Sequence, residues 1–125
     1  MNKLLIVTEV VGDREVDPLY YQPLIEDLTI FLGNRFEVEK IDRFEAVEAR
    51  IAAMDISAVI YLSRAMMIKT MMLGRGFPAI KFFVFCGILE DDIQKPYDNV
   101  FLIKKDANGE KGSHFREMLE IITPG

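Results

Sequence analysis

Between Lys3 and Ile122 the chain alternates apolar runs of strand length with stretches patterned at helical spacing, and this alternation leaves few folds open. The run Ile80-Lys81-Phe82-Phe83-Val84-Phe85-Cys86 has almost no polar face, so both of its faces need cover. Such runs belong to parallel sheets flanked on each side by crossover helices. Five strands are expected. The first is Lys3 to Val10, built on Leu4-Leu5-Ile6-Val7, and the second is Phe36 to Ile41, whose partial alternation of apolar and charged residues marks an edge strand. Ile56 to Leu62, Ile80 to Cys86 and Val100 to Ile103 complete the set as well-covered strands.

The segments between them carry helix signals. Leu24, Leu28, Phe31 and Leu32 recur at helical spacing and stop at Gly33-Asn34; Pro23 lacks an N–H donor, so a regular helix is expected from there, with Asp17 to Gln22 as a looser turn. Asp42 followed by Glu45 has the spacing of a capping box, opening a helix with the stripe Phe44, Val47, Ile51 and Met54. A third helix is expected over Arg64 to Leu73, ending at Gly74 and Gly76. A last one is expected with Ser113 as N-cap and Phe115, Met118, Leu119 and Ile122 inward. Ile88 to Asp98 offers at most a short helix.

A chain of 125 residues, half of them apolar, is expected to make one folding unit, with no room for two domains of usual size. Right-handed crossovers restrict five parallel strands to few orders, of which the flavodoxin-like 2-1-3-4-5 suits this length. The expected fold class is therefore a three-layer α/β/α domain spanning residues 1–125. In such sheets ligands bind beyond the carboxyl ends of the strands, where the strand order reverses between strands one and three. That rule selects Thr8, Glu9 and Asp13, then Ser63 and Arg64, then Cys86 and Gly87, then Lys104, Lys105 and Asp106.

Composition removes several functions. The net charge of −5 has the wrong sign for phosphate-driven nucleic-acid binding. One cysteine and one histidine exclude an internal disulfide and most zinc or triad chemistry, and they suit a reducing cytoplasm. Leu4 to Val7 is too short for a signal-peptide core, and no run approaches the ~20 apolar residues of a membrane span, so a cytoplasmic protein with no membrane contact is expected.

The first loop, Thr8 to Glu15, has one glycine and three acids and repels phosphate, which argues against FMN or a dinucleotide; no cofactor is expected. The same acids make Glu9 and Asp13 the candidate Mg²⁺ ligands, although a solvated acidic loop explains them as well. Cys86 follows Phe82-Phe83-Val84-Phe85, the setting of a buried small hydrophobe more than of a reactive thiolate. His114, next to Ser113, reads as a solvated first-turn residue.

With Glu9 after the first strand and Lys104 or Lys105 ending the fifth, the pattern resembles a response-regulator receiver domain. The resemblance is one of architecture, and it departs where receivers do their chemistry: strand three ends at Leu62-Ser63-Arg64 without the aspartate phosphoacceptor, and strand four ends in Cys86-Gly87 without a hydroxyl. The resemblance therefore implies a degenerate receiver in which aspartyl phosphorylation does not occur.

Charge and methionine are unevenly spread. Residues 1–62 hold 6 basic and 12 acidic residues, whereas 63–125 hold 9 and 8, and no acid occurs from Ile56 to Leu89. Within that stretch Ala65 to Leu73 is almost wholly apolar, with only Lys69 and Thr70 polar in its middle, and reads as a helix buried nearly all round. If another chain supplies part of that cover, Met66, Met67, Lys69, Met71 and Leu73 are its contact residues, since methionines suit adaptable interfaces. The leading expectation is a non-catalytic regulatory or interaction module that binds a protein partner or itself through this helix. The alternative is a small enzyme or anionic-ligand domain whose crevice is formed by Glu9, Ser63, Arg64, Cys86 and Lys104.

Overall fold

The apolar runs pair into one sheet. The computed structural model describes residues 3–9, 18–53, 56–62, 67–86, 93–104 and 111–123. Its strands are β1 (Lys3–Val7), β2 (Glu37–Ile41), β3 (Ile56–Tyr61), β4 (Lys81–Cys86), β5 (Ile93–Tyr97) and β6 (Val100–Lys104). Its helices are α1 (Pro18–Gly33), α2 (Val47–Ala53), α3 (Met67–Gly76) and α4 (Lys111–Ile122). The sheet order is β2-β1-β3-β4-β6-β5, and all pairings are parallel except β5 with β6. The five parallel strands thus take the expected 2-1-3-4-5 order, with the expected short β2 at one edge.

The sheet has six strands, not five, because β5 forms where at most a short helix was expected. Ile93-Gln94-Lys95-Pro96-Tyr97 carries a proline, which a sheet tolerates at an edge, and its Lys95 and Pro96 are exposed there, blunting the edge against further pairing. A turn at Asp98-Asn99 joins it to β6 as a hairpin.

Alternate residues of each strand serve opposite cores. Leu4, Ile6, Ala58, Ile60, Phe83, Phe85, Phe101 and Ile103 face Ile25, Leu28 and Leu32 of α1 and Met118 and Ile122 of α4. Leu5, Val7, Val59, Tyr61, Phe82, Val84, Val100 and Leu102 face Val47 and Ile51 of α2, with Met71 and Leu73 of α3 packed against them. A register shift at Ser57, where Lys3 pairs Ile56 and Leu4 pairs Ala58, keeps both Ile56 and Val59 on the α2–α3 side. The Phe83 and Phe101 rings stack across β4 and β6 with centroids 5.2 Å apart.

Several helix boundaries differ from expectation. The first helix starts at Pro18, which fits a first turn because that N–H would be unsatisfied anyway, so Pro23 lies inside the helix and forfeits one backbone bond. The expected cap Ser113 lies inside α4, which begins at Lys111. The capping box does not form: Phe44–Ala46 is a 3-10 turn leading into α2, its cap is Arg43, and no side chain of that residue bonds to it. β1 ends at Val7, and Thr8 ties the chain to β2 by donating its N–H to the Ile41 carbonyl at 2.8 Å. Met54, Asp55 and the loop Lys105 to Glu110 lie outside the described residues.

The third helix is not buried all round. Among its described side chains and glycines Thr70 and Gly74, four apart, are buried, while Lys69 and Met72 are exposed and Met71 and Leu73 half-buried. Size complementarity explains why small residues lie nearest the sheet. The sheet below presents Tyr61, Phe82 and Val100, all fully buried, and only small helical residues let α3 approach such bulk. A Cβ at Gly74 would lie 2.8 Å from Val100 Cγ2.

The C-terminal end of α3 is secured from the β5–β6 turn. Asn99 Nδ2 donates toward three carbonyl oxygens, those of Gly74, Phe77 and Ile80, at 2.9, 3.0 and 3.0 Å, while the Asn99 carbonyl accepts the Phe82 N–H at 2.8 Å. One side chain thereby ties the last turn of α3, at Gly74, to the connection that leads into β4, at Phe77 and Ile80. Arg75 adds a second tie, stacking over the Tyr97 ring at 5.0 Å and donating to its hydroxyl at 2.6 Å.

Candidate functional site

The carboxyl ends of the parallel strands line up as the topology requires. Val7 is in register with Tyr61, Tyr61 with Val84, and Cys86 with Lys104, so the positions following β1, β3, β4 and β6 share one edge of the sheet. Of the expected crevice residues, Glu9 follows β1 at this edge, and Cys86 and Lys104 are paired backbone neighbours ending β4 and β6. Ser63, Arg64 and Asp13 lie outside the described residues.

Glu9 has a structural task. Its Oε2 accepts the Phe44 N–H at 2.5 Å, capping the 3-10 turn that Asp42 was expected to cap. A carboxylate reaching across from another strand's loop satisfies an orphan donor and holds the β2–α2 connection against β1. Phe44 in turn lies against Tyr61, with ring centroids 5.4 Å apart.

Tyr61, the partner of the Phe44 ring, belongs to the core on the α2–α3 side of the sheet. Its side chain is fully buried and its hydroxyl makes no hydrogen bond of good geometry, although Thr70 adjoins it. Burial pushes the phenol well above its ordinary pKa, and the neighbouring Thr70 only partly offsets this, so the ring stays neutral throughout the physiological range. Among the described residues no group of three or more His, Cys, Asp and Glu side chains is placed to hold a metal ion. Likewise no helix among them is long and apolar enough to cross a membrane.

A groove of about 510 Å³ opens beside this capped turn, between Phe44, Glu45 and Glu48 on one wall and Lys69, Met72 and Leu73 on the other. Lys69 Nζ sits 5.6 Å from the centre of the Phe44 ring. Met72 is 68% exposed. Of the expected contact residues, Lys69 and Leu73 line the groove, Met71 packs against the core, Met67 begins the described part of α3, and Met66 lies outside the described residues. Met72 and the opposite wall were missed. Nothing in a nearly uniform apolar helix distinguishes Met72 from Met71, and Glu45 and Glu48 belong to a segment remote in sequence.

Searches with this chain against protein-family models, curated proteins and solved structures returned no match. The described geometry defines a class at the level of fold: an α/β domain with a mostly parallel six-stranded sheet.

Proposed function

We propose that the chain is a non-catalytic regulatory or protein-interaction module, a receiver-like domain that has given up phosphoacceptor chemistry and works by surface contact. The observation that carries this reading is the bond from the Phe44 N–H to Glu9. The acid at the place where a receiver would hold Mg²⁺ is occupied in capping a turn, and the Phe44 ring of that turn packs against the buried Tyr61. Beside it, α3 exposes a methionine next to a lysine, features suited to a partner.

Thermal melts of the whole chain with nucleotides, FMN, divalent metals, and acetyl phosphate with Mg²⁺ test the proposal. A ligand at a hundred times its Kd stabilises the native state by about 2.7 kcal/mol, which moves the midpoint of a domain this size by several degrees. No such rise is expected. A concentration-dependent rise with any of these, or a phosphate mass increment on a carboxylate, overturns the reading and favours the crevice of Glu9, Ser63, Arg64, Cys86 and Lys104 as an anionic-ligand or catalytic site.

A further inference from the structure

We infer that the occupant of the α2–α3 groove is a second copy of this chain, docked about a two-fold axis; the inference deepens the interaction-module reading and rests on it. A two-fold contact demands a patch that complements itself. This groove meets that demand, because its walls carry opposite charge: Glu45 and Glu48 stand on the side of the 3-10 turn and α2, and Lys69 stands on α3. Among the described residues none of the three belongs to an ion pair within the chain.

Rotation by a half-turn sets Lys69 of each copy against Glu45 and Glu48 of the other. Met72, three residues beyond Lys69 and so on the same helical face, then enters the opposite groove, whose apolar lining is Phe44 and Leu73. A uniformly acidic partner would meet Glu45 and Glu48, and a uniformly basic one would meet Lys69. A surface with both signs at this spacing is what the groove itself offers. The charge pattern around α3 agrees, since no acid occurs from Ile56 to Leu89 and the α3 wall therefore meets the acidic wall with no acid of its own.

Sedimentation equilibrium of the full chain at tens of micromolar and low salt tests this. The expected mass is twice the 14.3 kDa of one chain. Met72→Glu and Lys69→Glu are each expected to weaken the dimer about tenfold or more. Combining Lys69→Glu with Glu45→Lys and Glu48→Lys reverses both walls and is expected to restore most of the pairing. Thermal melts check that each variant folds, which is expected because all four positions are exposed. A monomeric wild-type chain overturns the inference, as does a dimer indifferent to both single substitutions, or a reversed-charge variant that stays as weak as Lys69→Glu. A monomer leaves the interaction-module reading in place, because that reading falls to a ligand-driven rise in melting temperature, which is measured separately.

Discussion

Asn99 ties three carbonyls of the α3–β4 connection to the β5–β6 turn, and replacing it gives a quantitative test. Its amide has two hydrogens and three carbonyl acceptors at 2.9 to 3.0 Å, so one hydrogen is shared. Two of those carbonyls keep another donor, the Phe77 N–H at 3.3 Å for Gly74 and the Ile80 N–H at 3.1 Å for Phe77, so the loss is not the full penalty of three orphaned acceptors. At roughly 1 kcal/mol net per N–H donated, Asn99→Ala should cost about 2 kcal/mol. For a chain of this length that is a fall of about 8 °C in the melting midpoint, or a lower urea midpoint with unchanged slope.

Asn99→Asp separates the donors from the turn. Aspartate tolerates the same turn conformations as asparagine but at neutral pH presents oxygens to three carbonyl oxygens, so it should be worse than alanine. Repulsion from these carbonyl oxygens at a half-buried site raises the folded-state pKa of the introduced carboxyl above its unfolded value. Its penalty is therefore full above the folded pKa and shrinks as the pH falls through it, when the protonated acid regains one donor. Circular dichroism melts of the three proteins at neutral and mildly acidic pH read all of this. An Asn99→Asp variant no less stable than Asn99→Ala at pH 7 would refute the argument, as would an Asn99→Ala variant within about 0.5 kcal/mol of wild type.

Gly74→Ala should destabilise by about 1 to 3 kcal/mol despite alanine's better helix propensity, because its Cβ meets the buried Val100 at 2.8 Å, whereas Gly76→Ala, with open space around it, should be neutral or stabilising; paired melts decide. Tyr61→Phe should change stability by less than about 1 kcal/mol, since the hydroxyl it removes is buried without a well-formed hydrogen bond, and a large loss in urea titration would show that the hydroxyl is held. Arg50 holds the Glu39 carboxyl below its usual range chiefly by hydrogen bonding, with its charge and that of Lys3 adding and burial opposing. A lowered folded pKa gives stability present above the unfolded carboxylate value and lost as pH falls through the folded one, so Arg50→Ala should cost up to about 1 kcal/mol at pH 7, and the gap from wild type should close in acid.

What the sequence makes legible is what one element carries alone. The runs of β1, β3, β4 and β6 need cover on both faces wherever they sit, and from them the parallel order follows. The rest depends on partners distant along the chain. Asn99 reads as a turn residue, and its bonds to Gly74, Phe77 and Ile80 exist only once β6 lies beside β4. Local spacing points to Asp42 as a cap, but Glu9, 35 residues away, takes the task. Hydropathy reads α3 as buried nearly all round, whereas Lys69 and Met72 are exposed and the bulk of Tyr61, Phe82 and Val100 leaves the closest approach to the small Thr70 and Gly74. The site follows the same division: topology placed Glu9, Cys86 and Lys104 at one sheet edge, while the groove, made of two segments some 25 residues apart, had no local signal.

The central claim, that the acid after β1 serves the fold and not a ligand, is tested most directly by the melting temperature of Glu9→Ala. Loss of a capping acceptor costs about 0.5 to 2 kcal/mol, so the variant should melt several degrees below wild type, by the same amount with and without Mg²⁺ and acetyl phosphate. Acids held for binding or catalysis sit in destabilised sites whose removal commonly strengthens the fold. A Glu9→Ala chain that melts above wild type, or whose difference from wild type changes when Mg²⁺ is added, would contradict the account.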